Sequence, residues 1–131
     1  MYMISAQDIE RQVGYWRANA VEDLASGEVL VRSGHGRQGL FFIHLALEKV
    51  LKAHVTRATK DVAPKIHSLT RLAELSGLTI SAGMRDVLGE TGRFNIAGRY
   101  PDEKNQPVPI RSAQARVKRA KEVFRWLMMQ L

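Results

Sequence analysis

The stretch that decides the fold is LFFIHLALEKVLKAHV, residues 40–55. Its apolar side chains recur at the three- and four-residue spacing of an α-helix and fill one broad arc of the helical wheel. The members of that arc are Leu40, Ile43, Ala46, Leu47, Val50, Leu51 and Ala53. The pattern predicts a central helix from about Arg37 to Thr59 whose apolar face forms the core of the fold.

The opposite side of this helix carries charge. Its polar members are Arg37, His44, Glu48 and Lys52, with Phe41 and Leu45 among them. Buried helices rarely carry charged side chains that lack both a pairing partner and a functional role. Glu48 and Lys52 stand four residues apart with the acid first, the order in which a helical ion pair contributes about 0.2–0.5 kcal/mol. We expect a solvated or interfacial ion pair, on a face that a second subunit, another partner or a ligand covers.

Further helices are predicted on both sides of the central one. Ser5 and Asp8 are spaced like a capping box before a first helix at residues 6–32, which the Ser33–Gly36 turn ends. Ser68 is placed to cap a short third helix that stops at Gly77. A fourth helix runs roughly from Ser81 to Ile96, although Gly83, Gly89 and Gly92 weaken it. Prolines at 101, 107 and 109 predict a surface loop before Ser112 begins the last helix.

No repeat or strand-like alternation is present in the sequence, so the predicted fold class is all-α. We expect a four- to five-helix up-and-down bundle formed by one domain over residues 1–131. A chain of 131 residues with 45% hydrophobic residues is large enough to bury one core without metal or disulfide support.

Composition narrows the classes of function. Cysteine is absent, and the four histidines lack a metal-ligand spacing, so no metal or other cofactor is predicted. The formal net charge of +7 attracts nucleic acid, nucleotides or an acidic protein. The N-terminus has no signal-peptide pattern and no long apolar window occurs, which predicts a cytoplasmic protein without a membrane span.

Two parts of the sequence carry candidate site residues. His67 follows a loop at the start of the third helix. One interpretation is an imidazole that faces a cleft and titrates near neutral pH. The alternative is a histidine that caps the helix or packs against the bundle. A polar island, Asn95-Ile96-Ala97-Gly98-Arg99-Tyr100-Pro101, closes the fourth helix. There the Arg99 guanidinium is suited to grip a phosphate while Tyr100 stacks beside it. The alternative is that Arg99 caps helix carbonyls and Tyr100 packs on the end of the bundle.

Several short motifs in a fixed order carry a family resemblance. They are Glu22-Asp23-Leu24, Ala46-Leu47-Glu48-Lys49 with Lys52-Ala53, His67-Ser68-Leu69, and Ala97-Gly98-Arg99-Tyr100-Pro101. Over roughly residues 8–129 this set resembles the HEPN family, the higher eukaryote and prokaryote nucleotide-binding domain. The resemblance implies a helical bundle that forms a homodimer. It also implies a nucleotidyltransferase partner in a two-component toxin–antitoxin or defence system.

The resemblance departs from the ribonucleases of that family. Active members carry an arginine followed four to six residues later by a histidine, late in the bundle, whereas no histidine follows His67 here. Arg99-Tyr100-Pro101 instead matches a branch with a terminal Arg-Tyr signature.

Three functions stay open from the sequence. The leading prediction is a nucleotide- or RNA-binding module that uses Lys49, Lys52, Asn95, Arg99 and Tyr100, with His67 at the same polar cleft. The second is a metal-independent ribonuclease toxin in which His67 is the base and Arg99 holds the phosphate. The third is a non-catalytic dimerisation or adaptor domain.

Overall fold

The computed structural model describes residues 4–95 and 107–131, and these form helices and connecting turns without a β-strand. The five α-helices are α1 (Ala6–Arg32), α2 (Gly36–Thr59), α3 (Leu69–Leu75), α4 (Ala82–Gly92) and α5 (Ile110–Gln130). A 3₁₀ turn, Arg93–Asn95, continues α4. The predicted all-α helical bundle is therefore confirmed.

Serine side chains start three of the helices as N-caps. The Ser5 hydroxyl accepts a hydrogen bond from the Asp8 backbone N–H at 3.1 Å, and Ser68 and Ser81 accept equivalent bonds at the starts of α3 and α4. Each bond satisfies one of the N–H groups that a first helical turn leaves without a partner. These caps explain why the helix starts read from the sequence agree with the structure to within a residue.

Two helix boundaries differ from prediction. Helix α5 begins at Ile110 rather than Ser112, because Pro109 takes the N-cap position and its carbonyl oxygen accepts the Ala113 N–H at 2.9 Å. Helix α4 ends at Gly92 and tightens into the 3₁₀ turn, and Ile96 lies outside the described residues. The three glycines weaken α4 as a regular helix, in line with the low helix propensity of glycine.

Helix α2 is the centre of the bundle, as predicted. It packs against α1, α3, α4 and α5, whereas α1 packs against α2 and α5 but contacts neither α3 nor α4. All seven residues of the predicted apolar arc are at most 1% exposed. The main core accordingly contains side chains from all five helices, including Leu69 of α3 and Leu88 of α4.

Helices α1 and α2 touch backbone to backbone at two glycines. A Cβ built on Gly39 would lie 2.7 Å from the Gly27 carbonyl oxygen and 2.9 Å from the Val31 nitrogen. A Cβ on Gly27 would lie 2.8 Å from the Gly39 carbonyl oxygen. Any side chain at either position would push the two helices apart, so this pair of glycines sets their separation.

Buried hydrogen bonds fix the end of α5 onto α2. The His54 Nε2–H donates to the Leu127 carbonyl oxygen across 2.7 Å. Burial lowers the pKa of His54 most, the bond to Leu127 raises it, and the nearby Arg57 charge lowers it further. Arg57 in turn donates to the Leu131 carbonyl oxygen at 2.7 Å and pairs with Glu10 of α1 at 2.9 Å. Three helices are thereby joined at one end of the bundle.

We predict that Gly39→Ala destabilises the protein by about 2–3 kcal/mol, because the new methyl group meets backbone atoms that cannot move aside. The matched control is Gly14→Ala in the exposed middle of α1, where a Cβ meets nothing within 4 Å. Alanine there is expected to stabilise the helix by about 0.5–1 kcal/mol. Urea denaturation of both variants measures the two changes, and an increase in stability for Gly39→Ala would contradict the close approach.

Candidate functional site

A cluster of polar side chains surrounds Glu48 on the side of α2 that faces α3. The Glu48 Oε2 atom accepts a hydrogen bond from Lys52 Nζ at 3.1 Å. The Oε1 atom lies 3.2 Å from His67 Nδ1 and 3.3 Å from His44 Nε2. The Glu48 and Lys52 side chains are 6% and 8% exposed. The predicted helical ion pair is formed, but it lies inside the bundle rather than on a solvated or interfacial surface.

The chain itself covers this cluster. The Trp16 ring of α1 lies under Lys52, with Nζ 5.4 Å from the ring centroid, and His67 reaches Glu48 from the loop before α3. The expectation that a second subunit or a ligand covers Glu48 and Lys52 is therefore corrected. Phe41 and Leu45, which sit among the polar residues of α2, are half-buried.

Glu48 is ionised in the folded protein at neutral pH. Burial raises its pKa and is the largest single effect, but the contacts with His44, Lys52 and His67 and the Lys52 charge together lower the pKa to about 2. Neither ring nitrogen of the fully buried His44 has a hydrogen-bond partner among the described residues. His44 therefore approaches Glu48 to 3.3 Å, but the geometry of this contact is not that of an aligned hydrogen bond.

The ionised carboxylate also fixes the proton on His67. A carboxylate accepts hydrogen bonds and cannot donate them, so the proton in the 3.2 Å contact belongs to His67 Nδ1. In the neutral ring Nε2 then carries a lone pair. The His67 side chain is 59% exposed, and no described group bonds Nε2. The arrangement gives an accessible nitrogen base oriented by a carboxylate.

His67 lines a cleft of about 430 Å³ between α3 and α4. The rest of its lining is Ser68, Leu69, Thr70, Leu88, Gly89, Gly92, Arg93 and Asn95. Ligand sites for small molecules occupy about 300–1,000 Å³, so the cleft has room for one. His67 and Asn95, predicted as site residues from separate parts of the sequence, are brought together here.

The other predicted site residues lie elsewhere. Lys49 pairs with Asp23 of α1 at 2.7 Å, and Lys52 is held by Glu48, so neither lysine lines the cleft. Arg99 and Tyr100 lie outside the described residues.

Sequence reasoning missed several members of the cleft lining. Arg93 was not singled out, although it stands two residues before the polar island. Gly89 and Gly92 were interpreted only as helix weakeners. A Cβ at either glycine would meet nothing within 4 Å, so the absence of side chains leaves space beside α4. The spacing Gly-x-x-Gly-Arg before Asn95 was the available signal.

The described ranges, residues 4–95 and 107–131, contain no group of three His, Asp or Glu side chains arranged to hold a metal ion. No helix among them is both long enough and apolar enough to cross a membrane.

The depressed pKa of Glu48 predicts a specific loss of stability in acid. Its stabilisation is complete above the ordinary pKa of 4.5 and is lost as the pH falls towards the folded value of about 2. Between these limits the wild type is expected to lose about 3 kcal/mol more than Glu48→Gln does. Urea unfolding at several pH values between 7 and 2 measures this difference.

The control for that experiment is Glu74→Gln. Glu74 is exposed and pairs with Arg71 on the surface, so its removal should leave the acid dependence of the wild type unchanged. If Glu48→Gln and Glu74→Gln show the same pH dependence, the Glu48 carboxylate is not held ionised by its neighbours.

Comparison with known proteins supplies the family. The model of the HEPN domain matches residues 13–130 of the chain. The fold is similar to the crystal structure of TT1696 from Thermus thermophilus, with a TM-score of 0.75 and 14% identity, covering 92% of this chain and 98% of that one. It is also similar to ST0689, described as an archaeal HEPN homologue, with a TM-score of 0.71 and 18% identity, covering 90% of this chain and 96% of that one. No curated protein matches the sequence closely enough to count as a relative. The chain belongs to the HEPN domain family.

Proposed function

We propose that this HEPN domain binds a nucleotide or RNA in the cleft between α3 and α4. The observation that carries the proposal is the convergence of His67, Arg93 and Asn95 on one space of about 430 Å³. An imidazole, a guanidinium and an amide supply the hydrogen-bonding groups that phosphates, ribose hydroxyls and base edges require. Leu69 and Leu88, both buried, add an apolar floor.

Arg93 is the phosphate-binding group of this proposal. In the described part of the chain it forms no ion pair with a carboxylate, which supports a role in binding an anionic ligand. A guanidinium donates two parallel hydrogen bonds to a phosphate, and the net charge of +7 draws polyanions towards the protein. Arg99 and Tyr100 follow Asn95 by four and five residues and remain proposed contacts. Lys49 and Lys52 gain no support from their positions.

Binding is tested by calorimetric titration with nucleoside monophosphates and with short RNA. We expect Arg93→Ala to weaken binding roughly tenfold, since a hydrogen bond to a charged group contributes about 1.5–3 kcal/mol. His67→Ala is expected to weaken it less. The matched control is Arg11→Ala, which removes the same charge from an exposed site on α1, a helix that contacts neither α3 nor α4.

Two outcomes contradict this proposal. If Arg11→Ala weakens binding as much as Arg93→Ala, the attraction is general electrostatics rather than a site. If the wild type binds none of the ligands, the result favours the dimerisation or adaptor function instead.

The contact between Glu48 and His67 favours a second candidate function, a metal-independent ribonuclease. His67 Nε2 would take the proton from a ribose 2′-hydroxyl as O2′ forms a bond to phosphorus. The bond from phosphorus to O5′ then breaks, and the leaving oxygen takes a proton from water. The products are a 2′,3′-cyclic phosphate and a 5′-hydroxyl. Arg99 is the proposed cation for the charge that develops on the phosphoryl oxygens.

Cleavage of a mixed-sequence RNA in EDTA tests the ribonuclease. We expect His67→Ala to reduce the rate by about 10²–10⁴-fold, the usual contribution of a general base. Arg99→Ala should also abolish cleavage, whereas Arg11→Ala should leave it unchanged. If the folded wild type does not cleave RNA, the proposed ribonuclease function is wrong.

We also propose that the domain is a homodimer and works with a nucleotidyltransferase-type protein in a two-component system. Family resemblance supports both ideas, and the exposed Tyr15, Val21 and Val29 on the outer face of α1 support the first. Light scattering of the purified protein is the direct measurement. A mass of 14.7 kDa at micromolar concentration would contradict the homodimer.

A further inference from the structure

The ring of His67 has the arrangement of a nucleophile as well as that of a base. Its Nδ1–H donates to Glu48 Oε1 across 3.2 Å, so the lone pair of the neutral ring lies on Nε2. No group in residues 4–95 and 107–131 bonds Nε2, and the side chain is 59% exposed. A carboxylate that holds one ring nitrogen makes the other more basic. These conditions favour attack by Nε2 on an electrophile.

The other three histidines of the chain lack this combination. His44 is fully buried, so no reagent reaches its ring in the folded protein. His54 is also buried, and its Nε2 is engaged with the Leu127 carbonyl oxygen at 2.7 Å. His35 is exposed at the start of α2, but it pairs with no carboxylate in the described part of the chain. An accessible Nε2 and a carboxylate at Nδ1 therefore occur together at His67.

The surroundings of His67 suit a phosphoryl group. The cleft of about 430 Å³ has room for a small donor molecule, and Arg93 and Asn95 line it with hydrogen-bond donors. A guanidinium matches the oxygens of a phosphoryl group, and transfer of that group depends mainly on positioning and on electrostatic stabilisation. The lining residues that the structure describes include no acid, so none of them repels a phosphoryl anion.

We propose that His67 is a phosphoryl acceptor, modified at Nε2 by a small donor of the phosphoramidate class. The Nε2 lone pair forms a bond to phosphorus as the bond from phosphorus to the donor's nitrogen breaks. With phosphoramidate itself, ammonia leaves and takes a proton from water. One nitrogen–phosphorus bond replaces another, so no further reactant is needed. This inference goes beyond the proposed function and does not require the cleft to bind a nucleotide or RNA.

Glu48 is the positioning residue for this step. The ring keeps its proton on Nδ1 during the transfer and gains a positive charge as Nε2 bonds to phosphorus. The Glu48 carboxylate already lies 3.2 Å from Nδ1 and offsets that charge as it develops. The same contact holds the ring with Nε2 as the nitrogen that is free to react.

Phosphoramidate is the probe for the test. The purified protein is incubated with it, and intact-mass spectrometry under alkaline conditions follows the addition of a phosphoryl group. We expect the native wild type to gain a single group that mild acid removes and alkali does not, which is the behaviour of phosphohistidine. Phosphorus NMR then distinguishes modification at Nε2 from modification at Nδ1.

Two pairs of variants separate the site from general reactivity. His67→Ala should abolish the addition, whereas His35→Ala, which removes an exposed histidine without a carboxylate partner, should leave its rate unchanged. Glu48→Gln keeps a hydrogen-bond acceptor beside Nδ1 but removes the charge, so the rate is expected to fall at least about tenfold. Glu74→Gln makes the same change at a surface ion pair and should not slow the reaction.

A measurement on the wild type alone guards against a variant that does not fold. Concentrated urea exposes all four histidines but separates His67 from Glu48. The native protein is therefore expected to react at least about tenfold faster than the unfolded protein. A native rate no higher than the unfolded rate would show that the fold does not activate His67, and it would overturn the inference.

Three further results overturn the inference. They are the absence of phosphoryl addition to the native wild type, addition at Nδ1, and a rate that His35→Ala lowers as much as His67→Ala does. A folded Glu48→Gln that reacts at the wild-type rate overturns the role of Glu48. Phosphoryl addition without nucleotide or RNA binding supports the acceptor while the proposed function fails, and binding without phosphoryl addition gives the reverse.

Discussion

A carboxylate held ionised inside the bundle is the constraint on which the rest of the site depends. Glu48 is 5% exposed, so its charge has to be satisfied by neighbouring groups rather than by water. Lys52 does so from the next turn of α2, and His67 does so from the loop before α3. The contact between His67 and Glu48, together with the burial of Leu69 in the core, positions that loop and the wall of the cleft that His67 lines.

Such a cluster stabilises a fold only while it is complete. Removing two charges from water costs several kcal/mol per ion, roughly what their attraction inside the protein returns, so a buried ion pair by itself adds little net stability. Its effect on conformational specificity is larger, because any alternative packing that separates Glu48 from Lys52 or His67 leaves a buried charge unpaired. The fully buried His44 also has to remain compatible with this charge. The bundle is therefore held in one arrangement around α2.

The sequence predicted what local patterns control. The helical periodicity of residues 40–55 located α2, and serine caps located the starts of α1, α3 and α4, because both signals act within a few residues. The partners of the Glu48 side chain could not be predicted from local patterns. Its contact with His67 spans nineteen positions and depends on how α3 packs against α2. For the same reason Lys49 and Lys52 appeared available to a ligand, whereas Asp23 and Glu48 hold them. Arg93 was missed because its local signal, the spacing Gly-x-x-Gly-Arg before Asn95, is too short to distinguish it from other exposed arginines.

Helix packing requires some of the glycines in this chain but not others. At Gly27 and Gly39 an added Cβ would meet backbone atoms below 3 Å, so the crossing of α1 and α2 requires them. At Gly89 an added Cβ would meet nothing, and glycine there costs α4 about 1 kcal/mol relative to alanine without any gain in packing. A helix selected for stability alone would carry a better helix former at that position. The space that Gly89 leaves at the cleft between α3 and α4 is the compensating feature that the structure offers.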